Sequence, residues 1–138
     1  MEIERFKQQH IEILQGIAAL RKLAHAGIAD NASDIARAIT ALSTVVKVHL
    51  AIEDRILYPT LQNGRDPKLA NMGRMYQEDM KGIANAYIAF SRRWASAREL
   101  MERSDDFRNE ANTVLKSLHA RMQRENTEFY PAIEAWEI

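Results

Sequence analysis

The chain has 138 residues and a formal net charge of zero, with 19 Lys plus Arg against 19 Asp plus Glu. It has no cysteine, which excludes disulfides, thiolate zinc sites, iron–sulfur clusters and cysteine nucleophiles. The length suits a single domain over 1–138 that buries its own core. The balanced charge argues against nucleic acid and against an anionic membrane surface as partners.

The chain begins Met1-Glu2-Ile3-Glu4-Arg5, which is acidic and amphipathic and reads as no signal peptide. No run reaches 18 apolar residues, so no membrane span is expected and the default is a soluble cytoplasmic domain. Five Gly and three Pro leave few breaks. They cluster at Ala26–Asn31, at Gln62–Pro67 and near Arg103–Asp106, which predicts four helices over roughly 2–26, 33–62, 67–102 and 105–136. Pro67 after Asp66 suits a first helical position, and Ser104 suits a cap.

Each predicted helix carries a stripe spaced by threes and fours. The first is Ile3, Phe6, His10, Ile13, Ile17, Leu20, Ala24. The second is Ile35, Ile39, Leu42, Val46, His49, Glu53, Ile56. The third runs Leu69, Met72, Tyr76, Asp79, Ile83, Ala86, Phe90, Trp94, Ala97, Met101. The fourth runs Phe107, Ala111, Val114, Leu118, Arg121, Glu125, Phe129, Ile133. Short connections between long helices predict an all-α, up-down-up-down antiparallel four-helix bundle.

Six ionisable residues interrupt these stripes: His10, His49, Glu53, Asp79, Arg121 and Glu125. Burying such groups is costly unless they are paired or bind a metal. By helical rise they fall near one level of the bundle. The His49-x-x-x-Glu53 spacing puts an imidazole and a carboxylate on one face, a set suited to iron, manganese or zinc. Arg121-x-x-x-Glu125 has the same spacing, but Arg cannot ligate a cation. A metal-free reading stands beside this one, in which Arg121 forms a buried ion-pair network with Glu53, Glu125 and Asp79, and the bundle acts as an interaction or scaffold protein.

An internal repeat organises the pattern. His49 to Pro59 (HLAIEDRILYP) recurs 72 residues later as Arg121 to Pro131 (RMQRENTEFYP). Arg5 to His10 aligns more weakly with Arg74 to Asp79, at an offset of 69. The chain therefore reads as a duplicated helical hairpin. His25 and His119 are read as capping or packing residues. Tyr58-Pro59 and Tyr130-Pro131 are read as marking helix C-terminal regions, with structural tyrosines that could also close the metal level from the side.

On His10, on His49-x-x-x-Glu53-Asp54-x-x-Leu57-Tyr58-Pro59 and on Glu125-Asn126-x-x-Phe129-Tyr130-Pro131, the chain resembles the hemerythrin-like (His-His-Glu cation-binding) family. The resemblance implies a four-helix bundle around two non-haem irons, bridged by two carboxylates and otherwise held by histidines. It implies functions in dioxygen binding, oxygen or redox sensing, or the handling of iron and nitric oxide. By position it makes His10 and His49 terminal ligands and Glu53 and Glu125 bridging carboxylates. The family's remaining histidines fall on Asp79 and Arg121. One ion is therefore expected rather than two, iron or another divalent metal, held by His10, His49, Glu53 and Glu125 with Asp79 as a further ligand. A dioxygen or nitric oxide ligand, a monomer or homodimer, and no enzymatic activity complete the expectation.

Overall fold

The computed structural model describes residues 2–136. Helix α1 (Ile3–Ala26) leads to α2 (Ala32–Ile52), which continues through a π-helical turn (Glu53–Leu57) into α3 (Tyr58–Gln62). Helix α4 (Pro67–Trp94) and the short α5 (Ala97–Glu102) precede α6 (Ser104–Arg124). A second π turn (Glu125–Phe129) joins α6 to α7 (Tyr130–Trp136). There is no strand among the described residues.

The breaks have local causes. Gly27 takes φ 123°, which L side chains rarely adopt, and its N–H donates to the Ala24 carbonyl to end α1. Asp66 caps α4 by accepting from the Lys68 N–H at 2.9 Å, with Pro67 in the first turn as expected. The predicted helix over 67–102 breaks at Ala95–Ser96 instead of continuing. Trp94 and Leu100 are both fully buried. Six residues apart on a straight helix they would point about 120° from one another. The break lets both enter the core, and the Ser96 hydroxyl restarts the chain by accepting from the Glu99 N–H. Met101, expected on the stripe, is exposed in consequence. Ser104 is the first residue of α6, and no side chain caps that helix.

Neighbouring helices run antiparallel. Gly16 meets Leu42 and His10 meets His49, so α1 ascends as α2 descends. Ser43 meets Tyr87 and Gln62 meets Gln77, which sets the α2–α3 run against α4. Arg93 pairs with Glu110 and Arg121 bonds to Tyr76, which sets α4 against α6. Lys7 pairs with Glu134 near the closed end of the circuit, where His10 bonds to Asn126. A Cβ on Gly16 would lie 2.8 Å from Leu42, so glycine permits the close α1–α2 approach.

The apolar core has two parts. The larger contains Ile13, Ile17, Ile35, Ile39, Tyr87, Phe90, Trp94 and Phe107. The smaller contains Ile3, Phe6, Leu57, Tyr58, Tyr76, Phe129, Tyr130 and Ile133. A layer of buried His10, His49, Glu53, Arg121 and Glu125 lies at the level between them.

The expectation that nothing in the chain could span a bilayer requires correction. By length and composition alone, the run Ala32–Gln62 is long and apolar enough. Its apolarity comes partly from outward Ala41, Val48 and Ala51, while its inward face carries the core stripe together with His49 and Glu53.

A candidate metal centre with one open half

The two π turns are related by the repeat offset of 72, and each is followed by a proline, Pro59 or Pro131. Proline lacks an N–H and its ring crowds the carbonyl four residues back, so the ladder widens by one residue there. The Tyr58 N–H accordingly donates to the Glu53 carbonyl, and that of Tyr130 to the Glu125 carbonyl. In a regular α-helix a side chain five residues on points about 140° away. In the wider turn Glu53, Leu57 and Tyr58 are all buried, as are Glu125, Phe129 and Tyr130. Ile56, expected on the core stripe, is 49% exposed, because the widened turn puts Leu57 and Tyr58 inward in its stead.

Three helical runs bring donor atoms together. His10 Nε2 lies 3.0 Å from His49 Nε2 and 2.9 Å from Glu125 Oε1. His49 Nε2 lies 3.4 Å from Glu53 Oε1 and 3.7 Å from Glu125 Oε1. His10, His49 and Glu125 form a compact buried set suited to a metal ion. The His10 Nδ1–H donates to Asn126 Oδ1 at 2.8 Å, and the His49 Nδ1–H donates to Gln9 Oε1 at 2.7 Å. Each ring is thereby pinned with Nε2 turned to the centre, the outer support typical of metal-binding histidines. Glu53 Oε1 is buried without a hydrogen-bond partner. Two imidazole nitrogens and two carboxylates, one of which carries the orphaned buried oxygen, form a donor set that a divalent cation fits.

The metal-free charges favour a proton in that place. Burial disfavours a charged His49, but the adjacent Glu53 and Glu125 outweigh it and push its pKa up to about 9. Burial, reinforced by the charge of Glu125, pushes Glu53 up to about 7. Burial also works against a charged Glu125, yet hydrogen bonds to His10 and His49 and the charge of Arg121 hold it well below the usual carboxylate range. One carboxylate is thus firmly ionised and the other is poised to take a proton.

Arg121 fills the other half of the layer. Its Nε donates to Glu125 Oε2 at 2.6 Å, and its Nη2 donates to the Tyr58 hydroxyl at 3.1 Å and the Tyr76 carbonyl at 2.8 Å. Its guanidinium also lies 4.6 Å from the Tyr76 ring centroid. Glu125 therefore bridges, with one oxygen toward the histidines and the other on the guanidinium.

The domain profile for the hemerythrin HHE cation binding domain matches residues 1–133. The chain belongs to this family. No curated protein and no solved structure matches it. Its helical bundle and the His10, His49, Glu125 cluster accord with a hemerythrin-like cation-binding domain.

Within the hemerythrin-like framework, Asp79 is a correction. It is exposed and lies outside the cluster, about 100° around α4 from buried Met80. The offset of 69 between α1 and α4 is one residue short. At 70, buried Ile3, Phe6, His10, Ile17 and Leu20 fall on buried Gly73, Tyr76, Met80, Tyr87 and Phe90. The counterpart of His10 is therefore Met80, and Asp79 corresponds to Gln9, the half-buried residue that supports His49. At the layer α4 supplies Tyr76, a residue of the third stripe, through its carbonyl and ring. Neither His25, exposed, nor His119, half-buried, belongs to the cluster. A groove of about 570 Å³ between α2 and α4 has Tyr58, Leu50, Met80 and Lys47 in its wall.

Proposed function

We propose that this hemerythrin-like domain holds one non-haem iron, or another divalent metal in its place, between His10, His49, Glu53 and Glu125. We propose further that it serves in oxygen, redox or nitric oxide sensing, or in iron handling, as a binding module rather than an enzyme. One observation carries the reading: two imidazole Nε2 atoms, each pinned through its own Nδ1, meet at 3.0 Å against Glu125 Oε1, with Glu53 Oε1 unpartnered beside them. Paired lone pairs at that distance call for a positive centre, a proton in the metal-free state or a metal ion.

Bound iron supplies a redox-active Lewis acid able to take a diatomic ligand. The chain's own residues do the rest. Asn126 and Gln9 fix the rings, Glu125 neutralises charge on both sides, and the two parts of the apolar core keep water from the layer. Arg121 supplies the fixed positive charge of the second half. With one redox-active position, one-electron sensing is favoured over paired two-electron oxygen carriage. The groove that includes Tyr58 offers a small ligand an approach from the Arg121 side.

The test is to add Fe²⁺ anaerobically to purified protein, desalt it, and measure bound metal and melting temperature. One ion per chain with a raised melting temperature is expected. No retained metal would leave the Arg121–Glu125 network as the purpose of the layer, and two ions per chain would contradict the assignment of Arg121.

A further inference from the structure

Tyr130 is unassigned in the reading above, yet it stands inside the donor cluster. Its hydroxyl oxygen lies 3.0 Å from His10 Nε2, 3.1 Å from Glu125 Oε1 and 3.4 Å from Glu53 Oε2. Donors held about 2.1 Å from one ion stand about 3.0 Å apart across an octahedral edge and about 3.4 Å across a tetrahedral one. The tyrosine oxygen therefore keeps the same spacing from the cluster as its members keep among themselves. It is fully buried, and its ring is fixed beside those of His10 and Phe6.

The repeat supplies an internal control. The counterpart of Tyr130 at an offset of 72 is Tyr58, at the end of the other π turn. Tyr58 faces the half where the structure already holds a cation, and there its oxygen accepts from Arg121 Nη2 at 3.1 Å. Each tyrosine thus turns its oxygen on the cation place of the opposite hairpin. We propose that Tyr130 is a ligand of the metal ion, its phenol oxygen completing the set formed by His10, His49, Glu53 and Glu125. On coordination to ferric iron the hydroxyl gives its proton to solvent, and the oxygen–metal bond takes the place of the oxygen–hydrogen bond. The oxygen that now donates to Glu125 and faces His10 then stands beside them as a co-ligand.

This inference rests on the metal-site reading, and the experiment separates the two. Ferric iron is added to the parent protein, to Tyr130→Phe and to Tyr58→Phe, and iron per chain is measured by elemental analysis beside the visible absorption spectrum. A phenolate on ferric iron produces an intense visible charge-transfer band. The parent and Tyr58→Phe should show the band, and Tyr130→Phe should lose it while retaining iron. Resonance Raman excitation into the parent band should bring up phenolate ring modes, a readout that needs no variant to fold. Iron bound by the parent without the band, or a band that survives in Tyr130→Phe, overturns the role of Tyr130 and leaves the metal site standing. A parent that binds no iron overturns both.

Discussion

The two hairpins started from one pattern and now treat the same buried layer in opposite ways. Hairpin one presents His10, His49 and Glu53, whose open lone pairs and unpartnered oxygen call for an ion from outside. Hairpin two presents Met80, Arg121 and Glu125, whose cation is covalently part of the chain. The second helical run of each hairpin matches at the offset of 72, α2 with α6 and π turn with π turn, down to the proline that follows, although α4 carries the added break and α5 that α1 lacks. Side-chain chemistry at two positions, His10 against Met80 and His49 against Arg121, decides whether the cation is acquired or built in. Glu125 belongs to both halves, which makes it the residue through which the comparison can be broken.

The largest effect is therefore expected from Glu125→Ala. It strands a buried guanidinium, which costs about 3–5 kcal/mol, and it removes a carboxylate from the cation site. Urea unfolding should show the loss of stability, and the variant should no longer retain Fe²⁺.

Next in size is pH, which reads the open half alone. His49 lies at about 9 folded against 6.5 unfolded, and Glu53 at about 7 against 4.5. Both groups hold a proton more tightly in the fold. The His49 contribution is complete below pH 6.5 and is lost as pH rises through about 9. The Glu53 contribution is lost from about 4.5 to about 7. The metal-free protein should thus lose on the order of 3 kcal/mol between pH 6.5 and pH 9, measured by urea titration across that range. Metal binding displaces the same protons, so affinity should rise with pH over that interval.

His49→Ala should abolish the stabilisation by Fe²⁺, Mn²⁺ or Zn²⁺, which at a hundredfold excess over Kd amounts to about 2.7 kcal/mol. Thermal melts with and without metal check this, and a variant that still responds would remove His49 from the site. Arg121→His sharpens the comparison from the other side. Since Met80 and Tyr76 offer no imidazole or carboxylate from α4, elemental analysis should still find one ion per chain. The smallest effect belongs to Asp79→Ala. An exposed side chain outside the cluster should change stability by no more than about 0.5 kcal/mol and leave metal retention unchanged, by unfolding and elemental analysis.

Much of this was legible beforehand. Spacings of three and four set the helices, and the shared Glu, Tyr and Pro of the repeat singled out His49, Glu53 and Glu125. His10 was legible because Phe6, Ile13 and Ile17 lock its register. Asp79 misled for a physical reason. On α4 several neighbouring positions are amphipathic enough for two registers to look alike, and a slip of one residue exchanges a buried methionine for an exposed acid. The π turns were not legible from an α-helical period, since a turn of five residues moves Tyr58 and Tyr130 to a face where the regular spacing does not put them. A proline six residues after a striped glutamate was the available signal.

By itself the sequence determined the all-helical class, the duplication and a limit on chemistry: with no cysteine, no thiolate can hold a metal. These follow from local periodicity and residue type. The tertiary structure alone decided which side chains meet, because convergence depends on the phase of each helix against three others. It seated Arg121 on Glu125, excluded Asp79, and set the Tyr130 oxygen among atoms drawn from α1, the α2 run and the α6 run.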